Sequence, residues 1–483
     1  MRTTEATAVL VDLAQRGHLI GGEFTAGASA GTYDHHEPAT GRHQATIGLG
    51  GNAEIDAAVA CAREAQPAWA ATPPDERAGV LLRLAELLEE RAEESAELAA
   101  IDNGTPVRIL NPGKYAARWL RYAAEWAVAL DPGEPVGPGA SVVLEPYGVI
   151  GAIPPWNGSM MGMGQKCGPA LAVGNTVVAK PPEVAPFGML RFAELALEAG
   201  LPPGVLNVVV GGAEAGVALT GHPGVDKLSF TGGTATGRAI MAEAAKRLTP
   251  VTLELGGKSP NIVFPDADLQ VAATMAARIG TALLSGQGCA LPTRLYVHSD
   301  VYDEVVERVC DVLGAMPVGD PLDPATVVGP VVSEASMQRI LAVIDTARAD
   351  GATLLAGGRR LGGELASGWF VAPTVFGDVA HDSDLARDEV FGPVQAILRF
   401  GTDDEALQKA NDSDYGLNAY LFTSDPARIA RFTRELEAGT VVINGMGRTT
   451  PATPFGGVKQ SGFGREGGRA GMMEMVRTKT ILS

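Results

Sequence analysis

The amino-acid sequence predicts an α/β protein whose parallel sheets are covered by helices on both faces. Three observations carry that expectation. Short apolar runs, such as NTVVAK (175–180), VLNVVV (205–210) and VDKLSF (225–230), alternate with stretches of helical period. The alternation resumes after Asn261 as a second set of strand–helix units that runs to Asn444. At 483 residues the chain also exceeds what one core ordinarily serves, so two or three domains are expected.

Along the chain, residues 55–100 are helical in pattern, rich in Ala, Glu and Leu, and interrupted by the turn TPPDE. The segment 131–141 (DPGEPVGPGAS) is rich in Pro and Gly and reads as an excursion toward a partner subunit. Val142–Ile153 reads as extended, and a helix ends over Pro169–Ala172. Asn175–Lys180 is a strand. Phe187–Ala199 is an amphipathic helix, with Gly200 just past its end as a C-cap. Val205–Val210 and Val225–Phe230 are buried strands, and a glycine loop and a helix follow the second. Thr252–Leu255 is a further strand. The tail is Gly-rich from Gly456 to Gly471 and closes on the strand-like VRTKTILS.

Composition narrows the function classes. A hydrophobic content of 46% with mixed charges describes a soluble globular protein. The formal net charge of −18 argues against nucleic acid or an anionic membrane surface as the main partner. A small anionic ligand needs only a local site and stays possible. The N-terminus lacks a basic region followed by a long apolar run, and no apolar stretch reaches ~18 residues. Cys61, Cys167, Cys289 and Cys310 show no CxxC spacing and no disulfide framework. A cytoplasmic location is the default expectation. The pair His35-His36 has no further cluster around it, so no metal is expected.

Cys289 is the most informative residue. It lies in LLSGQGCALPTR (283–294), where Gly286, Gly288 and Ala290 place little side-chain bulk near the sulfur. Glu254, in VTLELGGKSP (251–260), ends a strand, where burial would raise its pKa and make it a better base near neutrality. A thiol nucleophile with a carboxylate base is the minimum equipment for covalent catalysis on a carbonyl. Glu254 fits a strand-end salt bridge equally well. Asn157, in IPPWNGSM, can donate to a developing oxyanion or simply cap a turn. The loop TGGTATG (231–237) sits between a strand and a helix, where backbone amides can approach a phosphate. A tight turn is the plain alternative. Lys180 and Glu183, in KPPE, border the crevice of a doubly wound sheet and suit ribose hydroxyls, although a solvated ion pair reads the same way. The other three cysteines fit inert packing positions.

The order of these signals is more specific than any one of them. Asn157, KPPE, FTGG, ELGGKSP, GQGCA, EVFGPV and NGM…PFGGVKQSGFGRE run in the sequence of the aldehyde dehydrogenase superfamily. The chain resembles that family from HLIGGEF (18–24) to the C-terminal tail. The resemblance implies that Cys289 attacks an aldehyde to give a thiohemiacetal, with Asn157 and the Cys289 N–H as the oxyanion hole. It implies that a hydride passes to a nicotinamide and that Glu254 activates the water that hydrolyses the thioester. Glu389 and Phe391 match positions at the nicotinamide ribose, and Lys180 and Glu183 match the adenosine-ribose ligands. Trp156, Gly232, Gly233 and Gly237 border the dinucleotide, and Ile153, Pro155, Gly212 and Leu255 complete the implied contacts. Glu183 favours NAD over NADP by repelling a 2′-phosphate.

The fold the resemblance implies is a Rossmann-like NAD-binding domain (1–126 and 147–255) and a catalytic α/β domain (256–460). A small β-hairpin oligomerisation element (127–146 and 461–483) joins subunits. Homodimers or homotetramers are the family norm.

Two departures matter. Gly233 stands where relatives commonly carry Ser, so one contact near the pyrophosphate is missing. After Asn157, where many relatives carry large side chains, this chain has Gly158, Met161, Gly162 and Gln165. Positions 158, 162 and 165 are spaced to share one helical face, which in the family lines the substrate tunnel. Thr449 replaces an aromatic residue of some relatives, and Phe455 is a further tunnel residue. A wide apolar tunnel for a bulky apolar or aromatic aldehyde is therefore expected, with refilling by loops carrying Leu283, Leu291 or Arg448 as the alternative. Arg448 favours carboxylate substrates only if it faces the tunnel. Two other functions stay open: a coenzyme A-acylating semialdehyde dehydrogenase, which generally lacks a base at the position of Glu254, and a non-catalytic homologue.

Overall fold

A computed structural model describes residues 5–129, 134–447 and 450–483. Arg448 and Thr449 lie outside the described residues, as do 130–133 of the expected hairpin.

The alternating apolar runs form two main sheets. The first has eight strands in the order Glu23–Thr25, His18–Ile20, Leu206–Val208, Thr176–Ala179, Val149–Ile153, Lys227–Thr231, Val251–Glu254 and Gly462–Phe463. The five strands between Leu206–Val208 and Val251–Glu254 pair in parallel, and the flanking strands are antiparallel. The chain order reverses at Val149–Ile153. Thr176–Ala179 and Leu206–Val208 extend the sheet to one side of it, and Lys227–Thr231 and Val251–Glu254 to the other. Such a switch point opens a crevice at the carboxyl ends of the strands.

The second sheet has seven strands, in the order Thr353–Ala356, Thr374–Gly377, Val394–Phe400, Arg294–His298, Pro260–Val263, Asn418–Phe422 and Thr440–Ile443. All its pairs are parallel except the first. A third, three-stranded antiparallel sheet joins Val476–Leu482, Ala140–Pro146 and Glu134–Gly137.

Helices cover the sheets because their apolar faces have nowhere else to go. In the helix Phe187–Glu198, Phe187, Leu190 and Leu195 are fully buried, and each such side chain contributes about 1.5–3 kcal/mol. Gly200 follows with φ +93°, a left-handed turn that ends the helix. Residues 55–100 resolve into Asn52–Ala71, Pro74–Glu90 and Ala92–Asn103, with a break at TPPDE as the sequence predicts. Among the described residues no helix is long and apolar enough to cross a membrane.

Two expectations are corrected. Val142–Ile153 is not one strand: it breaks at Tyr147–Gly148, and its halves belong to different sheets. A Cβ at Gly148 would collide with the Asp226 carboxylate, which accepts from the Val149 amide at 2.8 Å. Residues 461–483 are likewise divided. Gly462–Phe463 pairs with Val251–Glu254 in the first sheet, and only Val476–Leu482 joins the three-stranded sheet.

Candidate active site

A cavity of about 960 Å³ opens at the switch point of the first sheet. Its wall takes in Ile153, Pro155, Trp156 and Asn157 from the end of the central strand, and Lys180, Glu183 and Gly212 from the neighbouring strand ends. Gly232, Gly233 and Leu255 line it from the other side, and Cys289, Glu389 and Phe391 reach it from the second sheet's loops. The structure thus brings these sequence-selected residues together. Gly237 and Glu254 are not among the lining residues.

The glycine loop is shaped for an anion. Gly233 precedes the helix Thr234–Ala245 and supplies no capping side chain, so the first helical amides are left for another acceptor. A Cβ at Gly233 would meet nothing within 4 Å, so this position is open. A Cβ at Gly232 would strike the Phe230 ring. Gly237 acts one layer back: a Cβ there would lie 2.5 Å from Leu255 Cδ2, so its absence lets the helix approach the strand end. These features suit a dinucleotide pyrophosphate.

Lys180 is buried, and its ammonium donates to the carbonyls of Gly211 (2.6 Å) and Pro181 (3.2 Å). One of its three N–H groups remains for a ribose hydroxyl. Burial pulls Lys180 down to about 8, and Glu183 opposes the shift. Across the cavity, Glu389 Oε1 accepts from the Gly257 amide at 3.1 Å. Burial pushes Glu389 up to about 7, while the Gly257 amide, Lys258 and Arg339 hold it back. Phe391 adopts φ +50°, and its ring meets Trp156 edge-on at 5.6 Å.

The Cys289 loop is held by strain and hydrogen bonds. Leu284, Ser285 and Gly286 have successive φ values of +51°, +53° and +72°. Left-handed non-glycine residues cost energy and persist where surroundings over-determine them. Here the Ser285 hydroxyl donates to the Gly329 carbonyl at 2.8 Å. Gln287 donates to the Leu284 carbonyl at 3.1 Å and accepts from the Val332 amide at 3.0 Å. Gly286 is required by its backbone conformation and its approach to Gly392, and a Cβ at Gly288 would lie 3.0 Å from Leu291. Both serve the loop's packing.

Cys289 is half-buried. Burial pushes its thiol up to about 12, and the charges of Glu389 and Glu254 push in the same direction. The thiol is therefore protonated at neutral pH until a base or a bound cation helps it. Asn157 donates from Nδ2 to the Gln287 carbonyl at 2.8 Å, which ties it to the loop carrying Cys289. Its second amide N–H stays available.

Glu254 ends its strand 1% exposed, and neither carboxylate oxygen has a hydrogen-bond partner. The strand-end salt bridge is thus not formed. Burial, aided by the charge of Glu466, pushes Glu254 up to about 9, against the pull of Lys166 and Arg465. A buried polar group left unpaired is uncommon in folded proteins and calls for an explanation. Behind it, the buried Lys166 ammonium pairs with Glu466 at 2.7 Å and donates to Ser229 at 3.1 Å. Sequence reading gave these two residues, and Arg339 on the cavity wall, no role. A lysine inside the apolar helix Ser159–Ala172 was the available signal for Lys166.

Among the described residues, none of the expected tunnel residues Gly158, Met161, Gly162, Gln165 and Phe455 lines this cavity. Gly158 lies in the 3₁₀ turn Trp156–Gly158, and Ser159, at φ +43°, separates it from the helix carrying Gly162 and Gln165. The expected common helical face is therefore broken. A Cβ at Gly162 would lie 3.3 Å from Pro154, and one at Gly158 3.6 Å from Pro155. The two prolines already occupy space next to both glycines. Met161, Gln165 and Phe455 are half-buried, and Phe455 bridges to Glu466 through its backbone.

Comparison with known proteins agrees with this geometry. The model of the aldehyde dehydrogenase family matches residues 24–481. HpcC from Thermus thermophilus is 40% identical with a TM-score of 0.95, over 99% of this chain and 94% of that one. PnpE from Pseudomonas sp. WBC-3 is 39% identical, covers 97% of both chains at a TM-score of 0.94, and has also been solved with nicotinamide adenine dinucleotide. Betaine aldehyde dehydrogenase from Staphylococcus aureus, solved with NAD+, is 34% identical over 99% of this chain and 97% of that one, with a TM-score of 0.94. With a match of this extent and a cavity that ends on a cysteine, the chain belongs to the aldehyde dehydrogenase family.

Proposed function

We propose that the protein oxidises an aldehyde to a carboxylic acid with NAD+ as electron acceptor. The observation that carries this reading is the pairing of Cys289, on the wall of the nucleotide-shaped cavity, with the unpartnered Glu254 carboxylate, whose charge the thiol feels. NAD+, when bound, accepts the hydride. Glu183 and Lys180 hold its adenosine ribose, the amides after Gly233 its pyrophosphate, and Glu389 its nicotinamide ribose. Glu183 disfavours the extra phosphate of NADP.

The Cys289 thiol passes its proton to solvent water, and the sulfur adds to the aldehyde carbon. The free Asn157 N–H and the Cys289 amide take the developing oxyanion. Loss of hydride from this thiohemiacetal leaves a thioester on Cys289. Glu254, ionised, takes a proton from water as the water adds to the thioester carbonyl. Collapse expels the Cys289 sulfur and releases the acid. Water rather than coenzyme A is the acyl acceptor, because Glu254 supplies a base with no other partner. Retention of Cys289, Asn157 and Glu254 disfavours a non-catalytic homologue.

The favoured substrate is a bulky apolar or aromatic aldehyde. It rests on the apolar side chains of Met161 and Phe455, which the family resemblance places at the tunnel although they do not line the cavity, and Gly158 and Gly162 no longer support it, because Pro154 and Pro155 stand beside them. Comparison of kcat/KM for acetaldehyde and benzaldehyde tests this part, and a clear preference for acetaldehyde sinks it. The three-stranded sheet exposes Leu482 at 78% and Ile481 at 46%, which supports a homodimer or homotetramer joined through this edge. The reaction itself is tested by following NADH absorbance over an aldehyde panel, with acid product measured with and without coenzyme A. Acyl-coenzyme A as the product would reject the hydrolytic reading.

A further inference from the structure

Lys258 takes no part in the steps above, yet it is one of the most deeply buried charged side chains, at 2% exposure. Burying an ammonium is costly unless something compensates for its lost hydration. Among the described residues no carboxylate lies within ion-pair distance of it. Burial and the neighbouring Arg294 pull it down to about 7.

Its ammonium donates instead to the Asp388 carbonyl. Asp388 immediately precedes Glu389, whose carboxylate is held by the amide of Gly257, the residue before Lys258. Two adjacent residues, 257 and 258, therefore grip two adjacent residues, 388 and 389. Space at this junction is already spent: a Cβ at Gly256 would strike the Glu389 carboxylate, and one at Gly257 the Cys289 carbonyl. Lys258 is anchored in turn. Its carbonyl accepts from Arg294 Nε at 2.6 Å, and Arg294 Nη2 donates to the Ala410 carbonyl at 3.1 Å. The lysine thus joins the second sheet to the loop that presents Glu389 and Phe391 to the cavity.

We infer that Lys258 is a positioning residue: by holding the Asp388 carbonyl it fixes the Glu389 carboxylate at the cavity wall, where the nicotinamide ribose binds. This rests on the NAD+ reading of the cavity. The hydrogen bond to Asp388 sets the path of the loop, and the lysine's charge attracts the carboxylate that follows.

The test measures the Kd of NAD+ without aldehyde, by calorimetry, for the wild type, Lys258→Met, Glu389→Gln and the double variant. Lys258→Met is expected to weaken binding by about tenfold, the effect of losing one charge-assisted hydrogen bond. Glu389→Gln weakens it too, and the double variant is no weaker than Glu389→Gln alone. Hydrogen exchange over residues 386–392 should quicken in Lys258→Met while the thermal midpoint still reports a folded protein. If Lys258→Met does not fold, Lys258→Gln, whose amide is too short to reach Asp388, is expected to show the same loss. Unchanged NAD+ affinity in the folded variant overturns the inference, as does an equal loss in both Glu389 backgrounds. If the wild type itself does not bind NAD+, the cofactor reading fails and this inference falls with it.

Discussion

Replacing Glu254 by glutamine should slow turnover and stabilise the protein at the same time. The carboxyl is held near pKa 9, against 4.5 for an ordinary glutamate, chiefly by burial. The folded chain therefore binds this proton more tightly than the unfolded chain does. Its contribution to stability is complete below pH 4.5 and is lost as the pH rises toward 9. At pH 7 the cost of the buried, unpartnered carboxyl is at most about 3 kcal/mol, part of it shared with the Lys166–Glu466 pair. Glutamine keeps the shape and removes the titration. Its melting midpoint should exceed that of the wild type, by a margin that widens from pH 5 to pH 8. Turnover should fall by about 10²–10⁴, the usual worth of a general base. A single NADH should still appear rapidly per site, because thioester formation precedes the step that needs the base. In the wild type, steady-state turnover should rise about tenfold per pH unit from pH 7 until it levels near pH 9. Calorimetric melting across pH and stopped-flow NADH absorbance read both effects. A glutamine variant that turns over normally, or melts lower than the wild type at pH 8, would refute this reasoning.

Other consequences can be checked with single substitutions. Asn157→Ala removes one oxyanion donor, so kcat should drop by about 10²–10³ with NAD+ affinity, measured by calorimetry, nearly unchanged. Gly237→Ala places a methyl group 2.5 Å from Leu255 Cδ2 and should cost ~1–3 kcal/mol in urea unfolding, with weaker NAD+ binding. Glu183→Gln removes a like charge from the ribose site, and the NADP+/NAD+ ratio of kcat/KM should rise by about tenfold.

Which features could be read from the chain alone follows from the range of the interactions involved. The strands at 206–208 and 227–231 were legible because apolar runs and glycine turns are local signals. So was the left-handed Gly200. The break at Gly148 was not, because its cause is Asp226, nearly eighty residues away in the chain. The site divides in the same way. Cys289, Glu254, Asn157 and Glu389 stand in short motifs. The Lys166–Glu466 pair spans 300 positions, so the lysine inside an apolar helix stands out in the sequence but its partner does not. The tunnel face failed for a different reason. Helical spacing does not extend back to Gly158, because a left-handed Ser159 intervenes that periodicity cannot detect. The glycines beside Cys289 stand out in the sequence, but their cause lies in contacts with Gly392 and Leu291 that only the folded chain displays.

The nucleophile is the point on which everything else depends. Glu254→Gln protein mixed with NAD+ and an oxidisable aldehyde, quenched in acid and mapped by mass spectrometry, addresses it directly. The expected result is one acyl group per chain on the peptide containing Cys289, formed with one NADH and absent from Cys289→Ala. An acyl group on another residue, or full NADH production by Cys289→Ala, would contradict it.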